Sequence, residues 1–405
     1  MSKTILLVGT LDTKAAEFAY VRDLIVARGH QALLLDAGIM ADPPFKPDIT
    51  AAEVVAAGGG SLAELRAAND RSAAVETVTR GLAKLAPELY AAGKFDGVLS
   101  LGGSGGTAIA TAGMRALPVG VPKVMVSTVA SGDVNPYVDV KDITMMYSVV
   151  DIAGLNRLSR RILANAAGAV CGMVEQEVPA VADKPLLSAT MFGVTTPCVN
   201  AVREKLEGAG YEVLVFHATG SGGKAMEALI DGGFIEGVAD ITTTEWCDEL
   251  VGGVLSAGSH RLEAAGRRGI PQVVSVGALD MVNFWAYDTV PSEFKSRNLY
   301  KHNANITLMR TTATECAELG RIIASKLNRA TGPTFLFIPL KGVSMIDAEG
   351  QPFYDPAADE ALFDALRHNL NRQRVELIEL DLHINDPAFA QAVADKLLTV
   401  LAEKG

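Results

Sequence analysis

The chain has 405 residues, a formal net charge of −11 and a composition that is 49% hydrophobic but only 6% aromatic. This length exceeds what one typical core holds and predicts two domains. The acidic balance excludes a broad surface for nucleic acid or for an anionic membrane, because both need clustered lysine and arginine. The four cysteines are widely spaced and form no C-x-x-C pair, so neither a disulfide framework nor a zinc ribbon is expected.

The N-terminal segment MSKTILLVGT contains a short apolar run. That run is too short for the hydrophobic region of a signal peptide, and nowhere does the sequence reach the roughly 18 apolar residues of a membrane-spanning helix. We therefore expect a cytoplasmic protein without a membrane partner.

The first half of the chain alternates strand and helix patterns. The predicted order is strand 5–9, helix 14–28, strand 31–36, helix 72–92, strand 95–101, helix 107–117 and strand 122–129. This alternation predicts a parallel sheet with right-handed crossovers. A further helical stretch, 151–173, precedes the segment 174–185, whose acids and prolines are typical of an interdomain connection.

The first half then returns in altered form. Residues from 5 onward align with residues from 186 onward at a constant offset of 181, which matches Gly29 with Gly210. FDGVLSLGG and GVPKVMVSTVASGDV then match IEGVADITT and GIPQVVSVGALDMVN. A repeat this long predicts two domains of one architecture. We predict an α/β protein of two Rossmann-like lobes with parallel sheets: a nucleotide-binding lobe, 1–180, and a lobe with a candidate metabolite site, 186–405, facing each other across a cleft.

The second lobe adds elements of its own. A strand at 334–339, a helix at 356–370, a strand at 375–382 and a last helix from Pro387 are predicted. Thr312 and Glu315 have the spacing of a capping box, ahead of a helix that ends near Leu327.

A glycine-rich stretch follows the strand predicted at 95–101. Backbone N–H groups that glycines expose where a strand passes into a helix can bind an anion, and the helix dipole stabilises its charge. We therefore predict that phosphate is bound by Gly102, Gly103, Ser104, Gly105, Gly106 and Thr107. The alternative is a turn whose glycines serve only close helix–strand packing.

Two common nucleotide motifs do not fit this stretch. The window from Gly103 to Ala108 matches G-x-G-x-x-A, but it follows the third strand and no acid ends the next strand, which disfavours NAD. The P-loop pattern is excluded because no Gly-Lys-Ser/Thr follows. A nucleotide held without a P-loop lysine remains consistent with the sequence.

Small polar residues follow the first and fourth strands of the same lobe, where ligand loops of parallel sheets lie. The two acids among them can position a ribose, a metal ion or an ammonium group. The alternative for the first loop is that Asp12 or Thr13 caps the following helix. The predicted cofactor-binding residues in these loops are Thr10, Asp12, Thr13, Ser127, Ser131 and Asp133.

The second lobe has a glycine turn of its own, with a lysine in the first turn of the following helix. A cation there opposes the helix dipole unless an anion lies between them, which predicts a carboxylate or phosphate site. A solvated surface lysine is the alternative. The predicted substrate-binding residues are Gly220, Ser221, Gly222, Gly223 and Lys224.

Polar side chains also recur at the predicted strand ends of the second lobe. Histidine and carboxylate groups brought together can act as general acid and base or bind a divalent metal. Each histidine taken alone is more often structural, and Asp386 before Pro387 is a standard helix start. The candidate catalytic residues are His217, Glu245, Asp280, His302 and His383.

Six longer motifs carry a resemblance to a known family: GTLDTKAAEF, LGGSGGTAIATAGMRALPVGVPKVMVSTVASGDV, MMYSVVDIAGLNR, MFGVTTPCVNAVRE, FHATGSGGKAMEALI and GALDMVNF. They are similar to the bacterial members of the family named for the N-terminal domain of the tomato mosaic virus resistance (Tm) protein. The resemblance implies an ATP-binding protein of two Rossmann-like lobes, usually a homodimer. The plant domain blocks viral RNA replication by binding the viral replication protein, and that role is not carried over to bacterial members.

These observations support a leading hypothesis and two alternatives. The leading one is a cytoplasmic, two-lobed protein that binds ATP and acts on or senses a small anionic metabolite. The first alternative is a metal-assisted hydrolase, isomerase or lyase that uses the second-lobe histidine and carboxylate groups with a divalent metal. The second is a binding or regulatory module without chemistry.

Overall fold

A computed structural model describes residues 2–179 and 183–403. The chain divides into two compact units, residues 1–180 (unit 1) and 181–405 (unit 2). The predicted connection, 174–185, includes residues 180–182, which lie outside the described residues. Within the described ranges, none of the helices combines the length and the apolar character needed to cross a bilayer.

Unit 1 is built on one parallel sheet. Its strands are β1 (Thr4–Gly9), β2 (Gln31–Asp36), β3 (Gly97–Gly102), β4 (Lys123–Ser127) and β5 (Thr144–Tyr147). Its helices are α1 (Leu11–Ala27), α2 (Ala51–Ala57), α3 (Leu62–Ala68), α4 (Arg71–Ala91), α5 (Ser104–Ala116), α6 (Asn135–Val138) and α7 (Arg157–Glu175). The sheet order is β2-β1-β3-β4-β5, with every pair parallel.

Two apolar layers cover the faces of this sheet. Buried side chains of β1 alternate between them: Ile5 and Leu7 pack with α1 and α7, whereas Leu6 and Val8 pack with α2, α4 and α5. Central strands buried on both faces explain why β1 and β3 are nearly continuous apolar runs in the sequence.

Unit 2 repeats this plan and extends it. Its first strands are β6 (Leu186–Met191), β7 (Glu212–His217), β8 (Gly237–Thr242) and β9 (Gln272–Gly277), followed by β10 (Met281–Phe284), β11 (Leu299–Lys301), β12 (Thr307–Arg310), β13 (Thr334–Pro339) and β14 (Val375–Leu380). The helices are α8 (Thr196–Gly208), α9 (Ser221–Asp231), α10 (Glu245–Val251), α11 (Ala264–Arg268), α12 (Ala313–Leu327), α13 (Pro356–Asn369) and α14 (Pro387–Ala402). The parallel sheet has the order β14-β13-β9-β8-β6-β7, and β10-β12-β11 form a small antiparallel sheet.

The predicted fold class is confirmed: both units are α/β with a Rossmann-like parallel sheet. The capping box is confirmed too, with Thr312 Oγ1 accepting from Glu315 N and Thr312 N donating to the Glu315 carboxylate. The helices α2 and α3, the edge strand β5 and the antiparallel sheet were not predicted. The helix predicted at 107–117 begins at Ser104, so part of the glycine stretch forms its first turn.

The strand order determines where a ligand can enter each unit. In unit 1 the chain connects β1 to β2 on one side and passes to β3 on the other, so the loops after β1 and β3 diverge. Ligands of doubly wound folds bind in the crevice at such a topological switch point, outside the carboxyl ends of the strands. The corresponding point in unit 2 lies between β6 and β8.

Candidate functional site

Unit 1 has a cavity of about 510 Å³ at its switch point. This volume is in the range of ligand sites, roughly 300–1,000 Å³. The walls come from the loops after β1, β2 and β3, from one face of α4, and from the loop before α7. The lining residues are Thr10, Asp12, Thr13, Lys14, Ala37, Gly38, Ile39, Met40, Arg71, Ala74, Val75, Val78, Gly103, Ser104, Gly105, Gly106, Ile109 and Asp151.

The N-terminus of α5 faces this cavity without a cap. Gly103 is the N-cap residue, no side chain caps the helix, and the first helical hydrogen bond runs from Thr107 N to Gly103 O at 2.8 Å. Within the described residues, the amides of Ser104, Gly105 and Gly106 therefore have no acceptor. The first turn of a helix also carries a positive partial charge, so this end of the cavity suits an anion.

Arg71 and Lys14 are the two cations that line the cavity, and Arg71 was not predicted from the sequence. A Cβ placed on Gly105 would lie 3.9 Å from Arg71 Nη2, so the guanidinium reaches the glycine turn. Among the described residues, Arg71 makes no hydrogen bond or ion pair. Arg71 begins α4, where a cation opposes the helix dipole. That is the same signal that singled out Lys224, and it could have identified Arg71.

The other charged groups of the cavity have partners. Lys14 Nζ donates to Ile152 O, and Asp151 Oδ1 accepts from Ile152 N at 2.8 Å. Asp12 Oδ2 accepts from Met40 N at 3.0 Å. No side chain caps α1, so Asp12 does not have the capping role given as its alternative.

Seven of the predicted cofactor-binding residues line the cavity, and five do not: Gly102, Thr107, Ser127, Ser131 and Asp133. The hydroxyls of Thr107 and Ser127 are buried and hydrogen-bonded to each other at 2.6 Å. Asp133 accepts from Asn135 N at 3.0 Å in the loop after β4. The contacts of Thr107, Ser127 and Asp133 stabilise the turns around the cavity.

Unit 2 has a buried carboxylate at the equivalent of the glycine turn. The repeat that aligns Phe95 with Ile235 also aligns Gly105 with Glu245. Glu245 Oε1 accepts from Gly220 N at 2.7 Å and from Gly223 N at 3.0 Å. Its Oε2 accepts from Arg261 Nε at 2.7 Å.

Arg261 holds this carboxylate in a buried ion-pair network. Its side chain is only 1% exposed. Arg261 Nη2 donates to Asp240 Oδ1 at 2.6 Å, and Arg261 Nη1 lies 3.5 Å from Glu227 Oε1. Burial raises the pKa of Glu245, and the positive charge of Arg261 opposes that rise. A protein carboxylate thus occupies the place where the sequence analysis predicted a substrate anion.

This finding bears on the turn where Gly220, Ser221, Gly222, Gly223 and Lys224 are predicted to bind substrate. Two amides of the turn already have Glu245 as acceptor, and a Cβ on Gly223 would lie 2.1 Å from Glu245 Oε2. The glycine is needed here so that the backbone can approach the carboxylate. The turn binds an anion, and the chain itself supplies that anion.

The five candidate catalytic residues do not form one hydrogen-bonded group; within the described ranges, no hydrogen bond joins any two of them. Asp280 and His383 come nearest to forming such a group, because both contact Ser344. Asp280 Oδ2 accepts from Ser344 Oγ at 2.7 Å, and His383 Nε2 is 2.9 Å from Ser344 O. His383 Nδ1 accepts from Asn385 N at 3.1 Å, so both ring nitrogens are engaged.

The other two candidate histidines, His217 and His302, are exposed. His217 ends β7 with its ring edge-on to Phe192, and His302 follows β11 in the turn before β12. In the described part of the chain, no group of three or more histidine, cysteine or acidic side chains is placed to hold a metal ion.

A second cavity, of about 450 Å³, lies in unit 2 beside β13, β14 and α13. Asp359 and His383 are among its lining residues. Asp359 is nevertheless committed to Arg310, whose Nη2 donates to Asp359 Oδ1 at 2.6 Å. Burial and the nearby Asp347 raise the pKa of Asp359. The polar wall of this cavity is therefore part of a buried ion-pair cluster.

A pH dependence is expected from Asp248, which lies on the same helix as Glu245. Burial raises the pKa of Asp248 to about 7, although both of its oxygens accept hydrogen bonds from Asn283 at 2.7 Å. The folded protein then retains a proton that the unfolded chain releases near pH 4, so the free energy of unfolding falls as pH rises through about 7.

The Asp248→Asn substitution mimics the protonated carboxyl and should remove this slope. Relative to wild type, we expect the free energy of unfolding of the variant to rise by about 1.4 kcal/mol per pH unit between about pH 5 and 7. Urea denaturation followed by tryptophan fluorescence measures it, because both tryptophans lie in unit 2. If the free energy of unfolding changes with pH in the same way in both proteins, Asp248 has the same pKa in the folded and the unfolded chain, and the expectation is wrong.

The fold and the cavity define a class: a doubly wound α/β protein of two units, with an uncapped helix N-terminus and a guanidinium at the switch-point cavity of unit 1. Residues 3–179 match the N-terminal domain, and residues 184–401 the C-terminal domain, of the uncharacterised protein family UPF0261. The chain belongs to the UPF0261 family. The predicted resemblance to the Tm family is confirmed by the relatives that follow.

A UPF0261 protein of Clostridium tetani is 56% identical over 402 residues, covering 99% of this chain and 100% of that protein. The ToMV resistance protein Tm-1(GCR237) of Solanum lycopersicum is 49% identical over 311 residues, covering 75% of this chain and 41% of the plant protein. Among solved structures, the glycosyltransferase SsfS6 of Streptomyces sp. SF2575, complexed with thymidine diphosphate, is similar at 14% identity. The alignment covers 99% of this chain and 96% of that one, but its TM-score of 0.21 supports no argument about function.

Proposed function

We propose that unit 1 binds a nucleotide, ATP in the first instance, with its phosphates at the N-terminus of α5. The observation that carries this proposal is the pairing of unsatisfied amides at Ser104, Gly105 and Gly106 with the unpaired guanidinium of Arg71 in one cavity. Backbone amides at a helix start and arginine are the two groups that proteins most often direct at phosphate. The family resemblance, which implies ATP, supports the choice of nucleotide.

The cavity also has an apolar part that suits the base. Ala37, Ile39, Val75, Val78 and Ile109 give it an apolar wall. An aromatic base buries its faces against such side chains, while the charged end of the nucleotide stays at the helix start. One ligand with an apolar end and an anionic end therefore matches the cavity.

Unit 2 supports the same assignment by internal comparison. There, two backbone amides and one arginine surround a carboxylate at the position equivalent to Gly105. Unit 1 has amides and an arginine at this level, with a glycine where unit 2 has the acid. A phosphate supplied by a ligand would likewise accept from backbone amides and an arginine in unit 1, where the amides belong to the start of α5 rather than to the turn after the second strand.

The wider role is part of the same proposal. A homodimer that binds ATP accords with the family resemblance, whereas the cytoplasmic location and the small anionic metabolite are predictions from the sequence. Metal-assisted catalysis in unit 2 is less favoured, because the candidate histidines and acids are dispersed and both nitrogens of His383 are already hydrogen-bonded.

The Arg71→Ala variant tests the phosphate site. Losing one charge-assisted hydrogen bond costs about 1.5–3 kcal/mol, so the dissociation constants for ATP and inorganic tripolyphosphate should rise by about tenfold to a hundredfold. Isothermal titration calorimetry on the full chain measures both. Arg80→Ala is the matched control, because Arg80 lies on the same helix, outside the cavity, and pairs with Glu76. Equal affinities in wild type and Arg71→Ala would refute the assignment.

A further inference from the structure

One carboxylate oxygen in the unit 1 cavity has no hydrogen-bond partner. Asp12 Oδ1 is buried and unpaired, whereas Asp12 Oδ2 accepts from Met40 N at 3.0 Å. Leaving a buried polar atom unpaired is costly, and native structures seldom do so unless a ligand or water supplies the partner. Asp12 is one of the residues that line the cavity, so a ligand bound there is the candidate partner for this oxygen.

Asp12 belongs to the side of the cavity away from the proposed phosphate position. Its carboxylate packs against the loop after β2, where a Cβ on Gly38 would lie 2.4 Å from Asp12 Oδ1. The glycine turn follows β3, on the other side of β1 in the sheet. Repulsion between a carboxylate and phosphates also disfavours direct contact between them. Asp12 is therefore expected to contact an uncharged part of the nucleotide that donates hydrogen bonds.

The acid that usually performs this task is already engaged. In doubly wound nucleotide-binding folds, an acid near the end of the second strand binds the ribose hydroxyls. Asp36 ends β2, but its Oδ1 accepts from Leu11 N at 3.1 Å and from Gly38 N at 2.8 Å, and the residue is only 2% exposed. Asp12, which touches the same loop, lines the cavity and has one carboxylate oxygen without a partner.

We propose that Asp12 recognises ribose: its Oδ1 accepts a hydrogen bond from the 2′ or 3′ hydroxyl, and the site thereby selects ribonucleotides. This inference rests on the proposed nucleotide-binding function and adds sugar specificity to it. The hydrogen bond from Met40 N holds Asp12 Oδ2, so the contact with ribose needs only enough movement of the carboxylate to expose Oδ1.

The experiment compares three probes by calorimetry on the full chain: ATP, 2′,3′-dideoxy-ATP and inorganic tripolyphosphate. Wild type should bind ATP about tenfold or more tightly than the dideoxy nucleotide, the expected effect of one hydrogen bond to a charged acceptor. Asp12→Asn keeps an acceptor for Met40 N but places an NH₂ group toward the ribose, so the ratio should fall severalfold or more. Tripolyphosphate should bind equally to both proteins. Asp23→Asn, an exposed acid on the same helix, is the control and should keep the wild-type ratio.

The outcomes separate this inference from the function on which it rests. If wild type binds ATP and the dideoxy nucleotide equally, ribose recognition is overturned while nucleotide binding stands. If Asp12→Asn weakens tripolyphosphate as much as ATP, Asp12 acts on the phosphates, for example through a bound cation, and the ribose role is again overturned. If wild type binds neither ATP nor tripolyphosphate, both proposals fail.

Discussion

The Gly105→Glu substitution is expected to weaken ATP binding to unit 1 by about a hundredfold or more, equivalent to at least about 2.7 kcal/mol. It places in unit 1 the acid that unit 2 has at the equivalent position, Glu245. The new carboxylate would lie beside Arg71 and the free amides of α5, and would occupy the space of a phosphate. Its negative charge would in addition repel the ligand.

The fold should tolerate this change. Apart from its chain neighbours and the backbone of its own helix, the only described atom within 4 Å of a Cβ at Gly105 is Arg71 Nη2, at 3.9 Å, so the side chain has room. An acid in the first turn of a helix also interacts favourably with the helix dipole, by about 0.3–1 kcal/mol. We therefore expect a melting temperature equal to or above that of wild type, together with the loss of binding.

Gly105→Ala is the matched control for this experiment. Its methyl group fits the same space but brings no charge, so ATP affinity should stay within a few fold of wild type. Calorimetry and thermal unfolding on the three proteins give both readouts. A Gly105→Glu protein that folds and binds ATP as tightly as wild type would show that the phosphates bind elsewhere.

Removing Arg261 is expected to have the largest effect on stability. Arg261 is the buried cation that Asp240, Glu245 and Glu227 share. The Arg261→Met substitution keeps much of the volume but leaves these carboxylates without a counter-charge. Breaking a buried ion pair in this way costs about 3–5 kcal/mol. Urea denaturation followed by tryptophan fluorescence should show this loss in the transition of unit 2.

Arg267→Met is the control for the buried network. Arg267 pairs with Asp231 on the surface, with its side chain 53% exposed. Exposed ion pairs contribute about 0–1 kcal/mol, so this variant should unfold close to wild type. A loss of less than about 1 kcal/mol for Arg261→Met would mean that water or protonation neutralises the carboxylates, and that the network is not what holds the glycine turn of unit 2.

The fold was largely predictable because its signals are local. Strands such as β2 and β13 were predicted at their observed bounds, since buried parallel strands leave nearly continuous apolar runs. The helices α2 and α3 have seven residues each and β11 has three, which is too short for periodicity to show. Their positions depend on tertiary packing that one sequence does not reveal.

The site was predictable only in part, for the same reason. The glycine turn is a local motif, so Gly103 and Gly105 could be placed at the cavity from the sequence. Arg71 comes from a different helix, and only the folded chain brings it to that turn. Glu245 was recognised as polar and well placed, but its partner Arg261 lies in a loop with no motif. The sequence alone therefore could not show that Glu245 is held in a buried ion-pair network.

The proposal that unit 1 binds ATP is tested most directly by a crystal structure of the full chain, from crystals grown with millimolar ATP. The predicted result is density for the nucleotide in the unit 1 cavity, with phosphate oxygens within hydrogen-bond distance of the Gly105 and Gly106 amides and of the Arg71 guanidinium. Nucleotide bound elsewhere, or an empty glycine turn at that concentration, would contradict the account.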